Sequence, residues 1–82
     1  LYRKQDDGSI IAEGSCPLRV LNRKLGFSFP LDGPKTINGL LLEYLEDIPE
    51  PGLTVTIGDY PIEILQVQDK MVKVVRLGTP VA

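Results

Sequence analysis

Between Ile37 and Ile48 the apolar residues Ile37, Leu40, Leu41, Tyr44, Leu45 and Ile48 fall at i, i+3, i+4, i+7, i+8 and i+11, one stripe of a 3.6-residue repeat. This spacing predicts an amphipathic helix with that stripe buried. Thr36 stands where an N-cap hydroxyl would accept from a free first-turn amide, and Pro49 sets the limit at Ile48. The Pro-Glu-Pro-Gly run at 49–52 reads as a turn. Beyond it the period drops to two: Leu53, Val55 and Ile57 alternate with Thr54 and Thr56, as in a strand with one buried face. Gly58-Asp59 and Asp69-Lys70 punctuate two further β-branched runs, 60–68 and 71–77, so the C-terminal part reads as a three-stranded meander. Pro61 implies that its strand is an edge or carries a bulge, because proline cannot donate to a ladder. An exposed edge of the meander would either pair across a two-fold axis or be protected by Lys70, Lys73 and Pro61.

The N-terminal part repeats these signals in a weaker form. Asp7-Gly8 between two short strand-like runs predicts a hairpin. Ser15 can cap a helix with Pro17 in its first turn, Leu18, Leu21 and Leu25 on its inner face, and Gly26 as its stop. Residues 27–35 form a connector in which Phe27, Phe29 and Leu31 cover the core and Pro30 and Asp32-Gly33-Pro34 break regular structure. The resulting order, β-β-α-α-β-β-β, defines an α+β domain with two helices on one face of a mainly antiparallel sheet. Residues 1–82 are one domain's worth of chain. A first residue other than Met suggests a piece of a longer polypeptide.

Charge narrows the function classes. Nine basic against eleven acidic residues give a net charge of −2, without the basic stripe that nucleic-acid binding requires. No apolar run is long enough to span a bilayer. The charges are nevertheless segregated. Arg19, Arg23 and Lys24 make the outer face of the first helix basic, whereas Glu43, Glu46, Asp47 and Glu50 gather at the end of the second, against its own macrodipole. Glu43, Glu46 and Asp47 are spaced to share one side of a helix, where carboxylates can address a partner or a hard cation. A merely solvated acidic face is the plainer alternative.

Catalytic apparatus is missing. The chain has no histidine, which removes Ser-His and Cys-His nucleophile pairs and His-containing zinc sites. Its one thiol, Cys16, lies near a helix start where a dipole can acidify it, but no base is near in sequence, and a small buried side chain is the simpler expectation. Carboxylate pairs such as Glu46 and Asp47 have no pocket-forming residues around them. No catalytic residue, metal site or cofactor is assigned.

Several of these segments together resemble a known family. Asp7-Gly8-Ser9-Ile10-Ile11-Ala12-Glu13-Gly14 is similar to its opening strand, and Leu18, Leu21 and Asn22 fit its L-x-x-L-N first helix. Thr36-Ile37-Asn38-Gly39-Leu40 with Ile48-Pro49-Glu50-Pro51-Gly52 resembles its T-x-x-G and I-P-x-x-G signature, and residues 60–67 and 72–77 its closing hairpin. The family is the CorC/HlyC transporter-associated domain, and the resemblance covers nearly the whole chain. It implies a cytoplasmic regulatory tail of a hemolysin-like or CorC-type magnesium and cobalt efflux protein, one whose parent lies in the inner membrane or is soluble. The implied partners are a CBS-domain pair and a membrane transport domain of the same chain; apart from the resemblance, the opposite charges of the two helix faces would let a second copy bind as a homodimer. The resemblance also implies a fold like that of FAD-binding PCMH-like domains. No glycine-rich phosphate cradle accompanies that likeness in this chain. Two expectations follow: a protein-interaction module, whose candidate surfaces are the basic and acidic faces, or a sensor of a divalent cation or an adenine or flavin nucleotide.

Overall fold

The computed structural model describes residues 1–79. Seven elements follow the expected order: β1 (Tyr2–Lys4), β2 (Ile10–Glu13), α1 (Leu18–Leu25), α2 (Ile37–Leu45), β3 (Thr54–Ile57), β4 (Tyr60–Gln68) and β5 (Met71–Leu77). They form an α+β domain with one five-stranded antiparallel sheet, ordered β1-β2-β5-β4-β3. The last strand is thus the centre of the sheet. Ile10, Ala12, Ile62, Ile64, Val72, Val75 and Leu77 supply the sheet's half of the core, and Leu18, Leu21, Ile37, Leu40 and Leu41 the helical half. Each fully buried Leu, Ile or Val contributes about 1.5–3 kcal/mol by leaving water.

The meander turns through two-residue loops. Gly58 and Asp59 have φ of 58° and 71°, and Asp69 and Lys70 have 56° and 63°, the two positive values that match the twist of a tight hairpin. Pro61 departs from its expected setting: β4 lies between β3 and β5, and its irregularity falls at Ile64–Gln66 instead. Proline is tolerated because it sits at the last rung toward β5. There Gly78 N–H donates to the Pro61 carbonyl at 2.9 Å and no return bond is made. Lys73 likewise lies on a central strand; the free edges are β1 and β3.

Both helices differ from the expected bounds. α1 starts after Pro17, which is the N-cap and makes no side-chain capping bond, so Ser15 does not cap it. The helix starts are instead stitched to each other: Leu18 N–H donates to the Lys35 carbonyl (2.8 Å) and Ile37 N–H to the Cys16 carbonyl (3.3 Å). Gly26 ends α1 in the left-handed conformation, as its position predicts. Thr36 caps α2 through a bond from Gly39 N–H at 3.1 Å. α2 stops at Leu45, with Glu46 as a left-handed C-cap, because Pro49 is buried and the chain must turn before reaching it. Ile48, beyond the helix, is 41 % exposed, and Tyr44, still within it, is 57 % exposed, so neither is part of a buried stripe.

Residues 27–35 fold as a strap over the core. Phe27, Phe29 and Tyr60 pack their rings 4.8–5.3 Å apart. Leu31, expected to cover the core, is 48 % exposed. Leu53 likewise falls outside β3 and is 42 % exposed.

Candidate functional site

All six candidate surface residues are exposed. Arg23 and Lys24 occupy the last turn of α1, where they complement the helix dipole. Arg19 lines a shallow cleft of about 250 Å³ together with Pro17, Leu31, Pro34 and Lys35. Glu43 lies on α2, but Glu46 is its C-cap and Asp47 follows it. The shared helical side expected for the three carboxylates does not form, because the helix ends before the second of them. Among the described residues no three Asp, Glu or Cys side chains are grouped to hold a metal ion. The basic and acidic groups do not neutralise each other either. Among the described residues the ion pair is Arg76–Glu63, 2.9 Å, on the sheet.

Cys16 is fully buried, and burial pushes its thiol above the ordinary 9.0. Desolvation is the largest cause of that rise, and it favours the protonated, packed thiol. Asp7 moves the other way: hydrogen bonds from the Ser9 hydroxyl (2.6 Å) and amide (2.9 Å) hold its carboxyl below 3.8 and lock the first hairpin turn.

Three of the residues that carried the family resemblance, Asn22, Asn38 and Gly14, serve packing. The Asn22 amide grips the backbone of Phe29 twice, donating to its carbonyl at 2.9 Å and accepting from its N–H at 3.0 Å. Asn38 Oδ1 accepts from Val72 N–H at 2.8 Å, satisfying the edge of β5 where β2 has ended. Asn38 N–H in turn donates to the Gly14 carbonyl, and Gly14 N–H to the Lys73 carbonyl, both at 2.8 Å. A Cβ on Gly14 would lie 1.8 Å from the Val72 carbonyl oxygen, so glycine is required there by space. These motifs specify the fold and say little of its use.

The surface that sequence reasoning missed is the far side of the sheet. Helices and strap cover one face. On the other, Ile11, Val74 and Leu65 are half-buried among Arg3, Glu13, Glu63 and Arg76. Register places Arg3, Ile11, Arg76, Glu63 and Thr54 in one row across all five strands. Ile11 and Val74 also line a groove of about 280 Å³ with Leu1, Tyr2, Arg3 and Glu13, beside the start of the chain. The signal was present: Ile11 and Val74 are apolar at outward positions, where a solvated antiparallel face would carry polar residues.

Fold and surfaces together describe an α+β domain held by backbone-locking asparagines, with bare charged and apolar surfaces and no three-ligand metal cluster among its described residues. Residues 3–80 match the family model described as a transporter associated domain, CorC_HlyC. The chain belongs to this family. It is 45 % identical over 73 residues to the UPF0053 inner membrane protein YfjD of Escherichia coli K12, covering 89 % of this chain and 17 % of that protein. The chain thus corresponds to about a sixth of the length of that relative. Its fold matches a conserved protein of unknown function from Haemophilus influenzae Rd KW20, with a TM-score of 0.91, 38 % identity and coverage of 95 % and 96 % of the two chains. It also matches the CorC_HlyC domain of a Xylella fastidiosa hemolysin, with a TM-score of 0.81, 25 % identity and coverage of 94 % and 91 %. Those two solved chains consist almost entirely of this one domain.

Proposed function

We propose that this domain is a regulatory tail of a longer CorC-type or hemolysin-like protein and modulates divalent-cation transport, magnesium or cobalt, by docking on the rest of its own polypeptide. It acts from the cytoplasmic side and performs no catalysis. The observation that carries this reading is the family match over residues 3–80, joined to 45 % identity with a segment of an inner membrane protein. No helix of the described residues is long and apolar enough to cross a membrane, so transport itself is assigned to other parts of the polypeptide. The docking partners are the CBS pair and the membrane domain that the family implies. Homodimerisation through the same surfaces is a variant of this reading.

The test is cobalt retention in cells expressing the full-length polypeptide with and without residues 1–79, at matched membrane expression. Regulation predicts a changed efflux rate or a changed dependence on cation concentration after deletion. Equal efflux at every concentration would exclude it.

A ligand-sensing role is the second reading. It rests on the FAD-binding PCMH-like fold that the family resemblance alone implies and on the acidic residues Glu43, Glu46, Asp47 and Glu50. The exposure of that cluster, with its carboxylates spread across a helix end, disfavours tight cation binding, which needs several oxygens in fixed geometry. Amide chemical shifts that stay constant on addition of magnesium, cobalt or FAD at millimolar concentration would dismiss this second role.

A further inference from the structure

We infer that the docking surface for the remainder of the polypeptide is the open face of the sheet, centred on Ile11, Val74 and Leu65, and not either charged helix face. This inference rests on the docking reading above and names its surface. Three adjacent strands carry the apolar centre. Ile10 and Ala12 point into the core, so Ile11 points away from it, and Val74 does the same beside buried Val75. Leu65 is the extra residue where the register shifts between Ile64 and Gln66, opposite Val74. Ile11 pairs with Arg76 and Glu13 with Val74, which makes Ile11 and Val74 diagonal neighbours. Around this centre stand Arg3 and the Arg76–Glu63 ion pair. An apolar centre with a charged rim is the composition of a contact between domains of one chain.

Area and attachment decide the occupant. Five strands about 4.8 Å apart and averaging roughly 18 Å in length present about 430 Å², or about 860 Å² counted over both partners. That lies within the roughly 600–1,500 Å² of interfaces between domains of one chain. It falls short of the roughly 1,200–2,000 Å² of stable complexes between separate molecules, which argues against a second copy or a freely diffusing partner. A tethered partner needs less, because the tether supplies an effective concentration of order millimolar. Leu1 lies at this face. It lines the groove beside Ile11 and Val74, and its carbonyl accepts Glu13 N–H at 2.8 Å. The relative at 45 % identity has more than four-fifths of its length outside the matched segment, enough to supply the covering domain.

Thiol accessibility tests this directly. Val74→Cys, Arg23→Cys and Glu43→Cys are placed singly in the isolated domain and in the full-length natural polypeptide, and maleimide labelling rates are compared. Buried Cys16 gives only a slow background. The inference expects Val74→Cys to label at least tenfold more slowly in the full-length protein, with Arg23→Cys and Glu43→Cys unchanged. Slowing at Arg23 or Glu43 but not at Val74 would overturn the choice of surface and leave docking intact. Unchanged rates at all three positions would overturn docking as well. Slowing of Val74→Cys in the isolated domain that grows with protein concentration would assign the face to a second copy and refute the tethered occupant.

Discussion

Replacing Gly14 by alanine tests the junction that ties the sheet to α2. The added Cβ would sit 1.8 Å from the Val72 carbonyl oxygen and 2.8 Å from its carbon, whereas real Cβ contacts stay beyond 3.0 Å. The backbones must therefore part by at least 1.2 Å, the difference between 3.0 and 1.8 Å. Such a shift takes the 2.8 Å bonds Gly14 N–H to Lys73 and Val72 N–H to Asn38 beyond hydrogen-bonding range. Leaving two such amides without partners costs about 1–3 kcal/mol each, and forced overpacking adds about 1–3 kcal/mol. A loss of at least about 3 kcal/mol is expected, against a total of roughly 4–12 kcal/mol for a domain of this size. Thermal unfolding followed by far-ultraviolet circular dichroism should show Tm lowered by about 12 °C or more. Gly33→Ala is the control, since a Cβ there meets nothing within 4 Å. A Gly14→Ala protein melting within about 4 °C of wild type would refute the reasoning.

Three further outcomes are expected. Asn22→Ala removes both bonds to the Phe29 backbone and should cost about 2 kcal/mol in urea unfolding, with NMR ring shifts changed at Phe27 and Tyr60; unchanged ring shifts would contradict the pinning role. Lys70→Gly relieves a left-handed residue at φ 63° in the β4–β5 turn and should stabilise the domain by about 0.5–1 kcal/mol, read from the urea midpoint. Cys16 should resist iodoacetamide at pH 8 until the domain unfolds. Because burial raises its folded pKa, the folded state holds its proton longer, and Cys16 should lower stability as pH rises past 9.0, an effect absent in Cys16→Ser.

Most of the fold was legible because its signals are local. Thr36, Gly26 and the Asp7-Gly8, Gly58-Asp59 and Asp69-Lys70 pairs each announce a terminus or a turn through their own side chain or backbone preference. The sheet order was not legible to the same degree. Pro61 and Lys73 suggested an edge, but pairing of β5 with β2 is a contact across some sixty residues that no local pattern encodes. The end of α2 was misplaced for a similar reason. Periodicity ran on to Ile48, while the burial of Pro49, a tertiary fact, pulled the last turn open. On the surface, charge segregation drew notice to Arg19, Arg23, Lys24, Glu43, Glu46 and Asp47. Ile11 and Val74 are single apolar residues in apolar strands and stand out only once the inward side of each strand is known.

The central place of β5 bears on how the domain is made. Strand β5 is the last of the seven described elements to be synthesised, yet β2 and β4 both lean on it and Asn38 waits for its amide. Until Met71–Leu77 has been synthesised, the first hairpin has no sheet to join and α2 no strand to meet. The expected consequence is that this domain does not assemble hairpin by hairpin during synthesis, and that folding closes its first half onto β5.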